Sequence, residues 1–151
     1  MITIQKIEHA QLGALCALEA KIFTAENFSL SRRNFLYHIK RGNVLLGAFE
    51  KDELTGYILL FSYQKSARIY SLGVDPFYRQ QGIASHLIKQ TIEIAKGMKK
   101  NYLSLEVRSD NFPAYSLYIA HGFIPIKTLP GYYSDGGDGI KMRLILMVNV
   151  D

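Results

Sequence analysis

Hydrophobic and polar residues alternate from Ile2 to Ile7, the period-two pattern of a strand with one buried face. From Glu8 to Phe23 the period changes, and Leu12, Leu15, Leu18 and Ile22 fall on one face of a predicted helix. Thr24 to Leu30 keeps neither pattern and reads as a loop, after which Ser31 can cap a short helix to about Ile39. Val44 to Glu50 and Leu54 to Ser62 predict a hairpin joined by the polar turn Lys51-Asp52-Glu53. Arg68 to Val74 predicts a fourth strand, stopped at Asp75-Pro76 because proline has no ladder donor and restricts the residue before it. Ile83, Leu87, Ile88, Thr91, Ile94 and Ala95 recur at helical spacing, with Gly97 as the expected stop. Tyr102 to Arg108 alternates again, placing Leu103, Leu105 and Val107 on one face and Ser104, Glu106 and Arg108 on the other. A helix is predicted from Asn111-Phe112-Pro113, with proline in its tolerated first turn, to just before Gly122. Phe123 to Leu129 and Lys141 to Val148 read as strands, and Gly131 to Gly139 as a glycine-rich loop between them.

This order predicts one α/β (α+β) domain over residues 1–151. Strands four and five, bridged by a helix, form a parallel pair with a right-handed crossover, while the earlier strands suit an antiparallel meander. The expected architecture is a mixed, mostly antiparallel sheet of about seven strands with helices on both faces. Ligands in such sheets lie beyond the carboxyl ends of the strands, which brings Glu106 and the loop at Gly82 into one neighbourhood.

Composition narrows the class. Of the 151 residues 48% are hydrophobic and 21% charged, as in a folded globular protein. No apolar run reaches bilayer length and Met1 to Lys6 lacks signal-peptide architecture, so a cytoplasmic protein without a membrane partner is expected. A single Cys16 among leucines reads as a core thiol, and no Cys/His spacing suits a metal. The four histidines are scattered, and Asp135 to Gly139 lacks the length and bidentate Glu of a calcium loop, so it reads as a turn. A net charge of +5 fits either a basic surface with a phosphate site or a nucleic-acid face. Lys and Arg are dispersed in short clusters and RNA-binding aromatic motifs are absent, which favours the first, with no specific nucleic acid partner.

The junction from Tyr70 to Ala84 is strand, loop, then helix. A helix opening at Gly82 directs free backbone N–H groups beyond the strand end, a ready site for phosphate. Gly82 permits close backbone approach and Ala84 keeps the first turn free of bulk; the alternative is an ordinary tight turn. Arg79, Gly82 and Ala84 fill the fixed places of a pattern that resembles the acetyl-CoA signature of the GNAT N-acetyltransferases. Leu105-Glu106-Val107-Arg108, Asn111, Leu117-Tyr118, Gly122-Phe123, Tyr132-Tyr133 and Asp138 continue the likeness. Together they resemble the ribosomal-protein-alanine N-acetyltransferase group of that family, from Arg68 to Met142. The first half resembles the family only by its order of elements.

The resemblance implies acetyl-CoA as cosubstrate and a primary amine as acceptor, favouring a protein N-terminus over a lysine side chain or a small-molecule amine. A non-catalytic CoA-binding module is the alternative. Arg79, Gln80, Gln81, Gly82, Ile83, Ala84 and Ser85 are implied to hold the cofactor phosphates, and Asn111 to touch CoA, to cap its helix, or both. At Leu72, Gly73 and Val74 the fourth and fifth strands are implied to splay. The pantetheine arm fills the gap, and backbone N–H groups near Gly73 and Val74 hold the acetyl carbonyl; a β-bulge at Gly73 is the alternative. Glu106 is implied to take the amine proton, directly or through water, or else it pairs with a Lys or Arg. Tyr118 matches the tyrosine beside the CoA sulfur. A phenol with an unperturbed pKa of about 10 can protonate the leaving thiolate. Its alternative is core packing with Tyr115 and Ile119. Tyr132 and Tyr133 line the acceptor site or pack at a strand edge. Two loops depart from the pattern. Gly137-Asp138-Gly139 stands where relatives carry Glu-Asp-Ala, which predicts a more mobile loop, and Phe23 to Ser31 lacks an aromatic-proline pair.

Overall fold

A computed structural model describes residues 1–23 and 30–147. Its strands are β1 (Ile2–Lys6), β2 (Val44–Glu50), β3 (Glu53–Ser62), β4 (Ser66–Val74), β5 (Tyr102–Arg108), β6 (Ile124–Leu129) and β7 (Gly139–Ile145). Its helices are α1 (Leu12–Ile22), α2 (Arg32–Lys40), α3 (Ile83–Gly97) and α4 (Phe112–Ala120). The predicted loop from Thr24 falls mostly on residues 24–29, outside the described residues, as does Val148 at the predicted end of the last strand.

The strands form one sheet in the order β1-β2-β3-β4-β5-β7-β6. Every neighbouring pair is antiparallel except β4 and β5, which run parallel. Their register extends only from Ser66 opposite Tyr102 to Arg68 opposite Ser104. Beyond it β4 runs on to Val74 and β5 to Arg108 without pairing to each other, so the sheet opens into a V at the carboxyl ends of both strands. Helices cover both faces. Leu12, Leu15 and Leu18 of α1 and Phe35 of α2 pack on Leu45, Tyr57 and Leu59. On the other face Ile83, Leu87, Ile88 and Ala95 of α3 and Tyr118 of α4 pack on Ile58, Leu60, Leu103 and Leu105. Strand β3 is covered on both faces, and every residue from Leu54 to Leu60 is buried.

Four local details differ from expectation, each with a cause. Lys51 and Asp52 both take positive φ, 49° and 68°, so the hairpin closes in two residues and Glu53 joins β3. A 3-10 turn at His9–Gln11 precedes α1, with Glu8 and Gln11 forming a reciprocal capping box. Helix α3 continues through Gly97, and Lys99 takes the left-handed conformation at φ 59°. Lys100 N–H bonds back to Ala95 O at 3.0 Å, closing the helix there, and the buried Lys100 ammonium donates to Tyr63 O. The bulge lies at Tyr70, not Gly73: Leu59 faces Ser71 and Leu60 faces Ile69, leaving Tyr70 as the extra residue, while Gly73 pairs regularly with Tyr57. Gly73 answers to packing, because a Cβ there would lie 2.7 Å from Ile22 Cδ1 of α1.

Candidate active site

The open strand pair encloses a cavity of about 1060 Å³. Arg68 to Leu72 form one wall and Glu106 to Arg108 the other; Asn111 and Tyr118 of α4 and Tyr132 and Tyr133 before β7 complete it, with Glu19 and Leu30 entering from the α1 side. Glu106, Asn111, Tyr118, Leu72, Tyr132 and Tyr133 are thus gathered around one space from four separate segments, β4, β5, α4 with its cap, and the loop before β7. Gly73, Val74 and the Arg79–Ser85 loop are not part of that lining; they continue β4 past it into α3.

Glu106 stands with its side chain 14% exposed and accepts from Arg68 Nε at 2.9 Å. Burial works against the charge on Arg68, but the hydrogen bond and charge of Glu106 prevail and hold the guanidinium above its usual value. Glu106 therefore both lines the cavity and has a cationic partner. Arg68 also reaches Tyr132 Oη at 3.5 Å and lies over the Tyr70 ring at 5.6 Å. Tyr118 is buried and packs edge-on against Phe123 with centroids 5.7 Å apart, whereas Ile119 faces outward. Burial, reinforced by Tyr133, pushes the Tyr118 phenol well above its usual value, so it stays protonated as a proton donor must. The Asn111 side chain accepts from Ala114 N–H at 3.2 Å and caps α4 while facing the cavity.

The loop before β7 is more constrained than its glycines predict. Arg108 donates to both oxygens of Asp135, at 3.2 and 2.8 Å, and lies 4.8 Å over the Tyr133 ring. Asp138 Oδ1 accepts from Gly131 N–H at 2.9 Å, and Ser109 N–H donates to Asp138 O at 2.9 Å. A Cβ at Gly137 would lie 2.3 Å from Arg108 Nη2, so this glycine makes room for the clamp.

At the end of β4, Gly82 opens α3 at φ 78° with no side-chain cap. The first bond inside the helix is His86 N–H to Gly82 O at 3.0 Å, so the N–H groups of Ile83, Ala84 and Ser85 have no intrahelical acceptor. Gln80 also takes positive φ, at 64°, and the exposed Arg79 donates to Val74 O at 3.4 Å. Ser85 Oγ and His121 Nε2 are 2.8 Å apart. A turn of free amides beside an open sheet edge fits an extended anionic thioester carrier: amides for the phosphates, a strand edge for the arm.

Sequence reasoning missed two groups of residues. Arg68, the partner of Glu106, carries no local signal. Glu19 is 2% exposed inside α1; its Oε1 accepts from Leu30 N–H at 3.0 Å and its Oε2 from the Tyr57 hydroxyl. The Tyr57 oxygen in turn lies 2.6 Å from Ser71 Oγ on the cavity wall. Burial raises the Glu19 carboxyl above its usual range, against the lowering effect of both hydrogen bonds. The one hint in the chain was a carboxylate set between Leu18 and the apolar positions of the same helix.

No helix among the described residues is long and apolar enough to cross a membrane. In fold, the chain superposes on the ribosomal-protein-S18-alanine N-acetyltransferase of Escherichia coli with a TM-score of 0.90 and 25% identity, covering 100% of this chain and 97% of that one. In sequence it is 30% identical over 152 residues to the N-alpha-acetyltransferase RimI of Mycobacterium tuberculosis, covering 94% of this chain and 91% of the relative. It is 33% identical over 125 residues to an N-alpha-acetyltransferase of Saccharolobus solfataricus, covering 72% and 73%. Residues 12–123 match the Acetyltransferase (GNAT) family. The open β4–β5 pair, the uncapped start of α3 and these likenesses agree: the chain belongs to the GNAT family of acetyltransferases.

Proposed function

We propose that residues 1–151 act as one catalytic domain in the cytoplasm, transferring acetyl from acetyl-CoA to a primary amine, the α-amine of a protein N-terminus, by direct attack in a ternary complex. The observation that carries this reading is the V between β4 and β5, which places a carboxylate and a buried phenol on one cavity at the end of an unpaired strand edge. The names of the Escherichia coli and Mycobacterium tuberculosis relatives support an N-terminal acceptor.

In this reading the α3 amides from Ile83 to Ser85, with Arg79, Gln80, Gln81 and Gly82, hold the diphosphate, and the free edge at Leu72, Gly73 and Val74 receives the pantetheine arm and the acetyl oxygen. Asn111 contacts the carrier from the start of α4. Tyr132 and Tyr133 flank the acceptor. Glu106 takes a proton from the amine nitrogen, the nitrogen attacks the thioester carbon, and Tyr118 protonates the departing sulfur. Arg68 keeps the Glu106 carboxylate aimed at the cavity.

A thermal-unfolding scan with acetyl-CoA tests the cofactor site, with an adenine nucleotide as control. Ligand at about 100 times its dissociation constant adds about 2.7 kcal/mol, a rise of several degrees for a domain of this size. Acetylation of a short peptide with an N-terminal alanine, followed by mass, tests the acceptor. Absence of any shift at saturating acetyl-CoA removes the reading.

A further inference from the structure

Converting an ammonium ion to an amide removes two protons from one nitrogen. Glu106 can receive one of them, and one of its oxygens is already engaged by Arg68. A second carboxylate, Glu19, lies almost fully buried at the α1 side of the same cavity. From α1 it is linked to Ser71 on the β4 wall through two hydroxyls, those of Tyr57 on β3 and of Ser71 itself.

The direction of this chain follows from counting hydrogens. Leu30 N–H can only donate, and it occupies Oε1 of Glu19. An ionised carboxylate can only accept, so Tyr57 donates its single hydrogen to Oε2. The Tyr57 oxygen must then accept from Ser71, which uses the only hydrogen of the Ser71 hydroxyl. Ser71 therefore turns lone pairs alone toward the cavity. That surface suits an N–H donor, and an ammonium ion above all. Burial first, then the charge of Glu19, pushes the Tyr57 phenol far above its ordinary value, so a free phenolate is not an available stop along the way.

We propose that Ser71, Tyr57 and Glu19 form a proton relay that removes the first proton from the acceptor ammonium, leaving the second to Glu106. The ammonium N–H bond breaks as Ser71 Oγ gains the proton. In concert the Ser71 hydrogen passes to the Tyr57 oxygen, and the Tyr57 hydrogen to Glu19 Oε2. The products are a neutral amine and a neutral Glu19. The amine then forms its bond to the acetyl carbon, the carbon–sulfur bond breaks, the thiolate takes its proton from Tyr118, and Glu106 holds the second proton from nitrogen. When the products leave, the proton on Glu19 returns along the same chain to water, and the proton on Glu106 passes across the cavity to the Tyr118 oxygen, restoring the carboxylate and the phenol. Ser71 touches substrate; Tyr57 and Glu19 act through it. Among the described residues, the other charged or titratable groups near the relay are Tyr70 beside Tyr57, the Arg68–Glu106 pair on the cavity, and Lys21 of α1, which is engaged by Asp75 at 3.3 Å.

This inference rests on the acetyltransferase reading. The test is acetylation of a short peptide with an N-terminal alanine by the wild type and by Ser71→Ala, Tyr57→Phe and Glu19→Gln, as kcat/KM against pH. Without the relay only the free amine reacts. With an α-amine pKa of about 8, the loss should be about tenfold near pH 7 and about a hundredfold near pH 6, vanishing above about pH 9. The stabilisation by acetyl-CoA should be unchanged in all three. Wild-type rates in folded variants at every pH, or a loss equal at every pH, overturn the relay and leave the acetyltransferase reading standing. Ser71→Ala changes a small, part-exposed residue and decides the matter alone if either buried variant fails to fold. A wild type that acetylates neither this peptide, nor lysine amide, nor spermidine ends both.

Discussion

Arg68 Nε donates to Glu106 Oε2 at 2.9 Å, at the vertex where the parallel strands part. Arg68 is the last β4 residue in register with β5, opposite Ser104, and Glu106 stands two positions further along. The pair closes the narrow end of the cavity. Arg68→Met removes the cation and leaves a carboxylate that is 14% exposed without its partner. The expected loss is about 1–3 kcal/mol, below that of a fully buried pair because both groups retain some water. Urea unfolding measures it. A loss under about 0.5 kcal/mol would mean that solvent already screens the pair.

Tyr118→Phe keeps the ring against Phe123 and deletes only the hydroxyl. Turnover should fall about a hundredfold, with acetyl-CoA affinity unchanged. Glu106→Gln should lower turnover about as much, and alkaline pH should not restore it, because the second proton has lost its acceptor. Undiminished turnover in either variant would reduce that residue to a packing role.

Gly82→Ala isolates conformation from space. At φ 78° an added Cβ finds only His86 Cδ2, at 4.0 Å, so the cost is backbone strain of about 1–2 kcal/mol. Strain relieved by shifting the loop displaces the amides of α3. The thermal shift produced by acetyl-CoA should therefore shrink by more than the variant's own loss of stability. An unchanged shift would place the phosphates elsewhere.

Two histidines make stability depend on acidity. Burial, aided by the charge of Arg41, lowers the pKa of His38, which stacks on Phe61 with centroids 4.5 Å apart. Burial, aided by Lys89, lowers that of His121. Each binds its proton less readily folded than unfolded. Their contribution is therefore intact above the unfolded value of about 6.5 and disappears as pH falls through the folded values. Glu19 has the opposite sign: its pKa is raised on folding, so stability declines as pH rises through the window above the ordinary glutamate value of about 4.3. The melting temperature should drop between about pH 7 and pH 5, and less in His38→Gln/His121→Gln. An equal drop in that double variant would assign the dependence to carboxylates.

The elements were legible where periodicity is strong. Tyr102 to Arg108 and Val44 to Glu50 form the strands that their alternation predicts, and Ser31 caps α2 as its position before an amphipathic run requires. Leu72, Glu106, Asn111, Tyr118, Tyr132 and Tyr133 do converge on one cavity. Periodicity states which face a side chain takes, not which residue stands opposite it. The ion pair of Glu106 with Arg68 and the hydrogen bond of Glu19 with Tyr57 each join residues 38 positions apart, beyond any local pattern. The bulge at Tyr70 depends on the register of β3 against β4, which neither strand encodes alone. Gly73 was readable as a site of close approach; that Ile22 of the first helix stands against it could not be read, because the two lie far apart in the chain.

Three register pairs join β4 to β5. Mechanically the sheet is two plates, β1 to β4 and β5 with β7 and β6, stitched at one corner. An extended guest bonded to both free edges would act as a second line of stitches, turning a hinge into a panel. Amide hydrogen exchange from Ile69 to Val74 would then slow on loading before any chemistry occurs, and rigidity itself would report whether the enzyme is charged with its donor.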